Sequence, residues 1–331
     1  MLGLLSREEG GLLPAGCTVP DSMRRVLLLT IALWVPALAG YADESIEVDG
    51  RTIDVHVPAS YSPSNPAAVV MLLHGFGGSG RQMERYMQFE RLADEEGFLY
   101  LHPNGSRRRG RRYWAATDAC CNLRPGSLAD VKFLSAVLDE VGRKFSVDPS
   151  RIYLVGHSNG GFMSYRMACE HADRFAAIAS LAGATWSNPR ACRPSEPVHI
   201  LQIHGTRDEI IRYPGGSLER GVRYPGAVAT TETWATYNGC SITPDTSSPN
   251  LDLDARLAGD ETVVARYTAG CSAGGSAELW TIVGGGHIPS LSSDFAREVV
   301  DYLLAHPKPG PPTVSMQAPV SPEPLSRGET P

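Results

Sequence analysis

Short apolar runs alternate with stretches of helical periodicity along most of this 331-residue chain. The apolar runs lie at 68–73, 98–101, 152–155, 177–181 and 199–203. Helical patterns lie between them, at 80–96, at 128–145 and from residue 158 onward. Continuous apolar runs are typical of strands buried on both faces, and strands that alternate with helices form parallel sheets. The sequence therefore predicts an α/β fold, a mostly parallel central sheet with helices on both faces.

Composition sets the limits of this domain. Residues 23–42 combine a basic start, an apolar stretch and small residues at the end, which is the pattern of a secretory signal peptide. We interpret residues 1–22 as an upstream extension. Residues 307–331 are rich in proline and poor in large apolar side chains, which predicts a disordered tail. One domain of residues 43–306 remains, and we expect it to work outside the cytoplasm, either secreted or periplasmic.

The number of cysteines agrees with export from the cytoplasm. The domain contains Cys120, Cys121, Cys169, Cys192, Cys240 and Cys271. Six cysteines in an exported domain favour three disulfides. We expect Cys240 to bond with Cys271, and the adjacent pair to be split between the other two cysteines, because a bridge between neighbours is strained. A metal site is the alternative, but it needs histidines at close spacing beside the thiols, so no metal is assigned.

A glycine-rich turn follows the apolar run at 152–155. It has the sequence Gly156-His157-Ser158-Asn159-Gly160-Gly161. The pattern G-x-S-x-G between a strand and a helix forms a sharp turn that exposes the serine hydroxyl above a sheet. The same turn leaves the amide of Asn159 at the helix start, where negative charge is stabilised. Ser158 is therefore the candidate nucleophile.

A serine nucleophile needs a histidine base that is oriented by a carboxylate. In folds with this turn, the chain order is serine, acid, histidine. Asp208 lies just past the apolar run at 199–203, and His287 lies on a glycine-rich loop after a predicted strand at 278–283. Both positions fit the order. Glu209 is the alternative acid, and either carboxylate could instead be a solvated loop residue.

The run at 68–73 is followed by His74-Gly75-Phe76-Gly77-Gly78. A loop of this type supplies a second backbone N–H for an oxyanion hole, here from Phe76 beside Asn159. Residues 75–80 also match the dinucleotide pattern G-x-G-x-x-G. That pattern needs an acid at the end of the next strand, about 20 residues on. His102-Pro103-Asn104 occupies that place, so we disfavour a dinucleotide and expect no cofactor.

The net charge of the chain gives no support for a nucleic-acid-binding or membrane-binding protein. With 36 acidic and 30 basic side chains, a net charge of -6 gives no reason to expect nucleic acid or an anionic membrane as partner. No apolar run approaches the roughly 20 residues of a membrane-spanning helix, so we expect no stable membrane insertion. We interpret the arginines at 107–112 as a solvated loop. Trp114 is a candidate for an aromatic substrate pocket, with packing as the alternative.

Together these motifs resemble a known family, the secreted esterases grouped with polyhydroxybutyrate depolymerases and feruloyl or acetylxylan esterases, within the α/β-hydrolase fold. Besides the motifs above, the likeness includes Asp49-Gly50-Arg51, Asp148-Pro149-Ser150-Arg151-Ile152-Tyr153, His204-Gly205-Thr206-Arg207-Asp208, Asn238-Gly239-Cys240 and Gly284-Gly285-Gly286-His287. The resemblance implies a catalytic triad of Ser158, Asp208 and His287.

The resemblance also implies a secreted carboxylic ester hydrolase that forms an acyl-enzyme without a cofactor or metal. We expect a monomer whose partner is an ester, small or polymer-linked, such as the feruloyl or acetyl esters of plant polysaccharide. One alternative is an extracellular depolymerase of polyhydroxybutyrate or its oligomers. It is less favoured because a proline-rich tail stands where such enzymes often carry a substrate-binding domain. The others are a peptidase or acyl-transfer enzyme, and a non-catalytic binding protein on the same fold.

Overall fold

The computed structural model describes residues 44–121, 127–218 and 221–310. The upstream extension at 1–22 and the signal peptide at 23–42 lie outside the described residues, as does the proline-rich segment beyond residue 310. Across the described ranges, no helix is both long enough and apolar enough to cross a bilayer.

Within the described ranges, nine strands form one sheet, and two short hairpins lie outside it. The strands, in chain order, are β1 (Glu44–Val48), β2 (Arg51–His56), β3 (Ala67–Leu73), β4 (Leu99–Leu101), β5 (Ser106–Arg108), β6 (Arg111–Tyr113), β7 (Val147–His157), β8 (Ala177–Leu181), β9 (His199–Gly205), β10 (Gly215–Ser217), β11 (Arg223–Pro225), β12 (Thr262–Tyr267) and β13 (Ser276–Ile282). The spatial order in the sheet is β1-β2-β4-β3-β7-β8-β9-β13-β12. The strands from β4 to β13 run parallel, and β1, β2 and β12 are antiparallel to their neighbours. Six parallel strands therefore share one carboxyl edge.

Helices cover both faces of this sheet. They are α1 (Gly80–Met87), α2 (Glu90–Glu96), α3 (Ala129–Lys144), α4 (Asn159–Glu170), α5 (Ala227–Tyr237) and α6 (Phe295–Leu304). Every residue of β3 is buried, and alternate side chains point to opposite faces. Val69 and Met71 pack in a core with α3, α4 and α5, whereas Val70 and Leu72 pack in a second core with α1, α2 and α6. The predicted α/β arrangement is confirmed.

The predicted helix at 80–96 is in fact two helices. The break lies at Gln88, which takes the left-handed conformation with φ 57°. The Glu84 carboxylate accepts the backbone N–H groups of Phe89 and Glu90, which stabilises the interruption. Helical periodicity continued across it, so the pattern alone did not show the break. The second helix ends as predicted at Gly97, whose φ is 77°.

The arginine-rich stretch is a β-hairpin rather than an irregular loop. Strands β5 and β6 pair antiparallel around Arg109 and Gly110, whose φ angles are 48° and 80°. Two successive residues with positive φ are typical of the tight turn that matches the twist of paired strands. Arginine is a poor indicator of this geometry, which explains why the sequence pattern pointed to a solvated loop.

The disulfides correct part of the prediction. Cys240 bonds with Cys271, as expected. The split of the adjacent pair is wrong, because Cys120 bonds with Cys121 and Cys169 bonds with Cys192. The Cα atoms of Cys169, at the end of α4, and Cys192 are 5.8 Å apart, a usual span for a disulfide. Cys121 lies in a turn with φ 66°, so the two adjacent side chains do not point to opposite sides as they would in an extended chain.

Candidate active site

Ser158 lies on a sharp turn between β7 and α4. Its backbone angles are φ 55° and ψ −119°, a strained conformation for a residue with a side chain. The flanking glycines are required by space. A Cβ atom at Gly156 would lie 2.2 Å from the carbonyl oxygen of Gly160, and one at Gly160 would lie 2.3 Å from that of Leu73. Close packing on both sides therefore holds the serine in this turn at the carboxyl edge of the sheet.

The candidate triad residues lie within hydrogen-bonding distance of one another. His287 Nε2 is 3.0 Å from Ser158 Oγ, and His287 Nδ1 is 2.8 Å from Asp208 Oδ2. Because Asp208 accepts a hydrogen bond from Nδ1, Nε2 of the neutral ring is left to accept the serine proton. The alternative acid, Glu209, is exposed, whereas Asp208 is 4% exposed and faces the histidine. The geometry favours Asp208 as the acid.

The Asp208 carboxylate has a hydrogen-bond partner on every side. Oδ1 accepts the backbone N–H groups of Ile210 and Ile211, at 2.9 and 2.8 Å. Oδ2 lies 3.3 Å from His204 Nε2 in addition to its contact with His287. Burial on its own raises the pKa of Asp208. Hydrogen bonds from His204 and His287 and the charge of His287 outweigh burial and hold that pKa well below the usual range.

A chain of buried side chains fixes His204 behind the acid. Tyr165 donates its hydroxyl to Gln202 Oε1 at 2.7 Å. The amide nitrogen of Gln202 donates to His204 Nδ1 at 3.0 Å, so Nε2 carries the proton and faces the carbonyl oxygen of Ile211 at 2.7 Å. Gln202 could not be predicted from the sequence, because a glutamine inside an apolar strand has no motif around it.

His157 holds the loop that carries the candidate base. Its Nε2 donates to the backbone carbonyl of His287 at 2.9 Å, and the two rings lie 5.0 Å apart. Tyr86 contacts the His157 ring and donates its hydroxyl to the carbonyl of Pro289. Burial, and then the charge of His287, lower the pKa of His157 to about 4, so this ring stays neutral as a donor.

The loop with Phe76 lies beside the serine turn. A Cβ atom at Gly75 would lie 3.5 Å from the Cβ of Ser158, which shows how closely the two loops approach. The N–H of Gly77 donates to the carbonyl of Arg112 at 2.8 Å and fixes the loop. Asn159 is the first residue of α4, so its N–H has no acceptor within the helix. Both candidate oxyanion donors thus lie on backbone close to Ser158.

Hydrogen bonds of His74 and Trp114 hold the loop that carries Phe76. His74 Nδ1 donates to the carbonyl of Gly75, and its Nε2 accepts the N–H of Gly105 at 3.0 Å. Burial lowers the pKa of His74 to about 4. Trp114 donates its indole N–H to the carbonyl of His74, and its backbone binds both side-chain atoms of Asn159, at 2.7 and 2.9 Å.

Trp114 does not line a substrate pocket. Its side chain is fully buried, so the structure corrects the prediction in favour of the packing alternative. Three exposed apolar side chains instead lie on or next to the loops of the candidate site, and the sequence had singled out only Phe76 among them, for its backbone N–H. Phe76, Ile210 and Ile288 are 45%, 55% and 64% exposed. Ile210 lies two residues after Asp208, and Ile288 follows His287 directly. In the described ranges, no group of three or more histidine, cysteine, aspartate or glutamate side chains is placed to hold a metal.

Comparisons with known proteins identify the family of the chain. A family model described as "Putative esterase" matches residues 47–250. The chain is 37% identical over 175 residues to "Putative esterase NocK" of Nocardia uniformis subsp. tsuyamanensis, covering 51% of this chain and 49% of the relative. It is 27% identical over 258 residues to feruloyl esterase B of Piromyces equi, covering 75% of this chain and 45% of the relative. The chain therefore spans about half the length of these curated relatives.

A solved structure shows the same architecture. The acetyl xylan esterase from Aspergillus awamori superposes with a TM-score of 0.52 at 16% sequence identity, over 76% of this chain and 93% of the other. At that identity the likeness concerns the fold alone. It confirms the α/β-hydrolase fold that the sequence predicted.

Proposed function

Because the chain belongs to the esterase family, we propose that it hydrolyses carboxylic esters through a catalytic triad of Ser158, His287 and Asp208. One observation carries the proposal: a continuous hydrogen-bonded line runs from Asp208 through His287 to Ser158 at the carboxyl edge of the sheet. This edge is where open α/β sheets bind ligands. A binding protein on the same fold has no need for an aligned acid, base and strained serine.

The first step forms an acyl-enzyme. Ser158 Oγ attacks the ester carbonyl carbon while His287 Nε2 takes the hydroxyl proton. Asp208, ionised by the contacts described above, keeps the ring in the required tautomer and stabilises the imidazolium. The backbone N–H groups of Phe76 and Asn159 bind the oxygen that becomes negative. Each such donor contributes about a 10²–10³-fold increase in the rate of the chemical step. The alcohol leaves with the proton from His287.

The second step releases the acid. His287 takes a proton from water, and the resulting hydroxide attacks the acyl carbonyl in the same oxyanion hole. The bond to Ser158 Oγ breaks and the serine recovers its proton from His287. These residues complete the cycle with no cofactor or metal in any step.

We assign feruloyl and acetyl esters of plant polysaccharide as the substrate class. A relative with the name feruloyl esterase supports the choice. The exposed apolar side chains of Phe76, Ile210 and Ile288 also suit an aromatic acyl group, because apolar contact area drives such binding. The disulfides, with the sequence signal at 23–42, support export of the protein.

Removal of the nucleophile tests the proposal. Ser158→Ala should lower kcat for p-nitrophenyl acetate by at least about 10⁴-fold, because loss of a triad serine removes the whole catalytic unit. A fluorophosphonate probe should label the wild type and not the variant. Ser293→Ala, which removes an exposed serine outside the candidate triad, should behave as wild type. Labelling of Ser158→Ala would contradict the assignment of the nucleophile.

The substrate class needs a separate test. Methyl ferulate, acetylated xylan and hydroxybutyrate oligomers should be compared by kcat/KM with the wild-type protein. We expect methyl ferulate and acetylated xylan to be hydrolysed faster than the oligomers. The reverse order would replace the polysaccharide ester by a polyester.

A further inference from the structure

A second concave site lies on the same edge of the sheet as the triad, beside hairpin β5–β6. The cavity has a volume of about 440 Å³. Its wall includes Arg51, Asn104, Ser106, Arg107, Arg112 and Phe133. None of these side chains has a part in the proposed ester hydrolysis, so the arginine-rich motif remains without a function.

The cavity is cationic and lacks an internal counter-charge. Three arginines line it, and no aspartate or glutamate does. None of the three forms an ion pair with a described carboxylate, unlike the buried Arg166 and the partly buried Arg174. Asp130 lies behind Ser106, but its oxygens accept hydrogen bonds from neutral groups of Ser106 and Ala115. Three unpaired guanidinium groups in a chain of net charge -6 point to an anionic ligand.

One of the guanidinium groups is already held in place. Arg51 Cζ lies 4.0 Å from the centre of the Phe133 ring, and Nη1 donates to the carbonyl of Asn104 at 3.3 Å. Phe133 itself is buried. A guanidinium fixed by ring stacking loses less conformational freedom when it binds, and its planar fork matches the two oxygens of a carboxylate.

The cavity lies at a distance from the nucleophile that suits an extended substrate. Arg51 begins β2, which is antiparallel to β4, so it lies at the carboxyl edge of the parallel strands. The sheet order β2-β4-β3-β7 puts three strand spacings between Arg51 and β7, the strand that ends just before Ser158. At about 4.8 Å each, the lateral separation is about 14 Å. The Arg112 carbonyl, which accepts the Gly77 N–H, joins the hairpin to the loop of Phe76.

We infer that this cavity binds the carboxylate of a uronic acid residue in the polysaccharide whose ester is hydrolysed at Ser158. The inference rests on the proposed function and extends it from a neutral to an acidic polysaccharide. The volume is in the usual range for a small-ligand site and fits a single sugar better than a polymer lying flat. A nucleic acid would require a long row of phosphate contacts, which the negative net charge of the chain opposes.

Binding is tested without catalysis. Unesterified oligogalacturonate should be titrated into Ser158→Ala protein by calorimetry, with and without the added changes Arg51→Gln and Arg107→Gln. Loss of two charge-assisted contacts should weaken binding at least about tenfold. The matched control is Arg109→Gln with Arg111→Gln, which removes equal charge from hairpin β5–β6 at two positions outside the cavity and should keep full affinity. Equal weakening by both pairs would overturn a specific site.

Two further titrations keep the test decisive. Arg107 is exposed, so Arg107→Gln alone should fold normally and still weaken binding, even if loss of the Arg51–Phe133 contact destabilises the double variant. Inorganic phosphate is titrated separately. Binding of phosphate with no binding of oligogalacturonate would overturn the uronate assignment.

Kinetics separate this inference from the proposed function. A feruloylated oligosaccharide with a uronic acid should have a higher kcat/KM than its neutral counterpart, by about tenfold. The Arg51→Gln, Arg107→Gln protein should lose that ratio, and the Arg109→Gln, Arg111→Gln protein should keep it. If the wild type hydrolyses p-nitrophenyl acetate but neither oligosaccharide, the proposed polysaccharide substrate is wrong, while the binding titration still decides the cavity.

Discussion

Two buried hydrogen-bond networks approach Ser158 from opposite directions along the sheet edge. The acid network follows β9, and the amide network follows β3. Their members are Gln202, His204 and Asp208 in the acid network, and His74, Trp114 and Asn159 in the amide network. Both networks are shielded from water, but they differ in charge. The acid network contains an ionised carboxylate, whereas the amide network joins neutral groups only.

This difference separates two tasks at the site. A buried carboxylate beside an imidazole determines which ring nitrogen carries the proton, so the acid network sets the chemistry of His287. Neutral side chains that bind backbone groups fix positions, so the amide network sets where the N–H groups of Phe76 and Asn159 lie. Damage to the first network should stop proton transfer. Damage to the second should displace donors and leave proton transfer possible.

Replacement of the acid should have the largest effect. Asp208→Asn keeps the size of the side chain but presents an amide to His287, which favours the wrong tautomer. We expect kcat for p-nitrophenyl acetate to fall about 10⁴-fold. Glu209→Gln, which neutralises the exposed neighbour, is the matched control and should retain activity. Similar losses in both variants would remove the distinction between the two carboxylates.

Damage to the amide network should have an intermediate effect. Asn159→Ala removes the side chain that binds the backbone N–H and carbonyl of Trp114, so the loops on either side of Ser158 lose their link. We expect kcat to fall about 10²-fold, in the range of one displaced oxyanion donor, with KM nearly constant. Asn188→Ala, on an exposed turn, provides the control. A 10⁴-fold loss would mean that the two networks do not have separate tasks.

A smaller effect, on stability, should be shared by both sides of the site. His74 beside the amide network and His157 beside the acid network each have a pKa of about 4 in the folded protein, against 6.5 for a free histidine. Unfolded chains therefore bind more protons below pH 6.5. Stability that is complete above pH 6.5 should be lost as the pH falls toward 4, by about 2–3 kcal/mol for each ring.

Thermal unfolding measured between pH 8 and pH 4 checks this expectation. His157→Gln should show a shallower fall in Tm with acid than the wild type, because its ring no longer takes up a proton on unfolding. His171→Gln, at a partly exposed position, should retain the full slope. A Tm that does not change from pH 7 to pH 4 would contradict the neutral, buried state of both rings.

The sequence was informative where local constraints act. The turn at Ser158 could be predicted because strand, glycine spacing and helix are contiguous, and because a tight turn tolerates no side chain at Gly156 or Gly160. Chain order then led to Asp208 and His287, since parallel strands bring their carboxyl ends to a common edge. The structure places these three side chains together.

Contacts between distant segments could not be predicted. The burial of Trp114 follows from its bonds with His74 and Asn159, which are 40 and 45 residues away in the sequence. The bond between Cys120 and Cys121 depends on a turn that no glycine or proline pattern in the sequence predicts. Gln202 has its role only because Tyr165 and His204 lie on either side of it. In each case the decisive partner is set by tertiary packing.

The backbone at Ser158 has one more consequence. A residue with φ 55° and a side chain costs folding free energy that a glycine at the same position would not. Selection for stability of the folded protein alone would thus favour glycine at position 158. For the proposed nucleophile, a serine in this turn means that durability has been given up for reactivity.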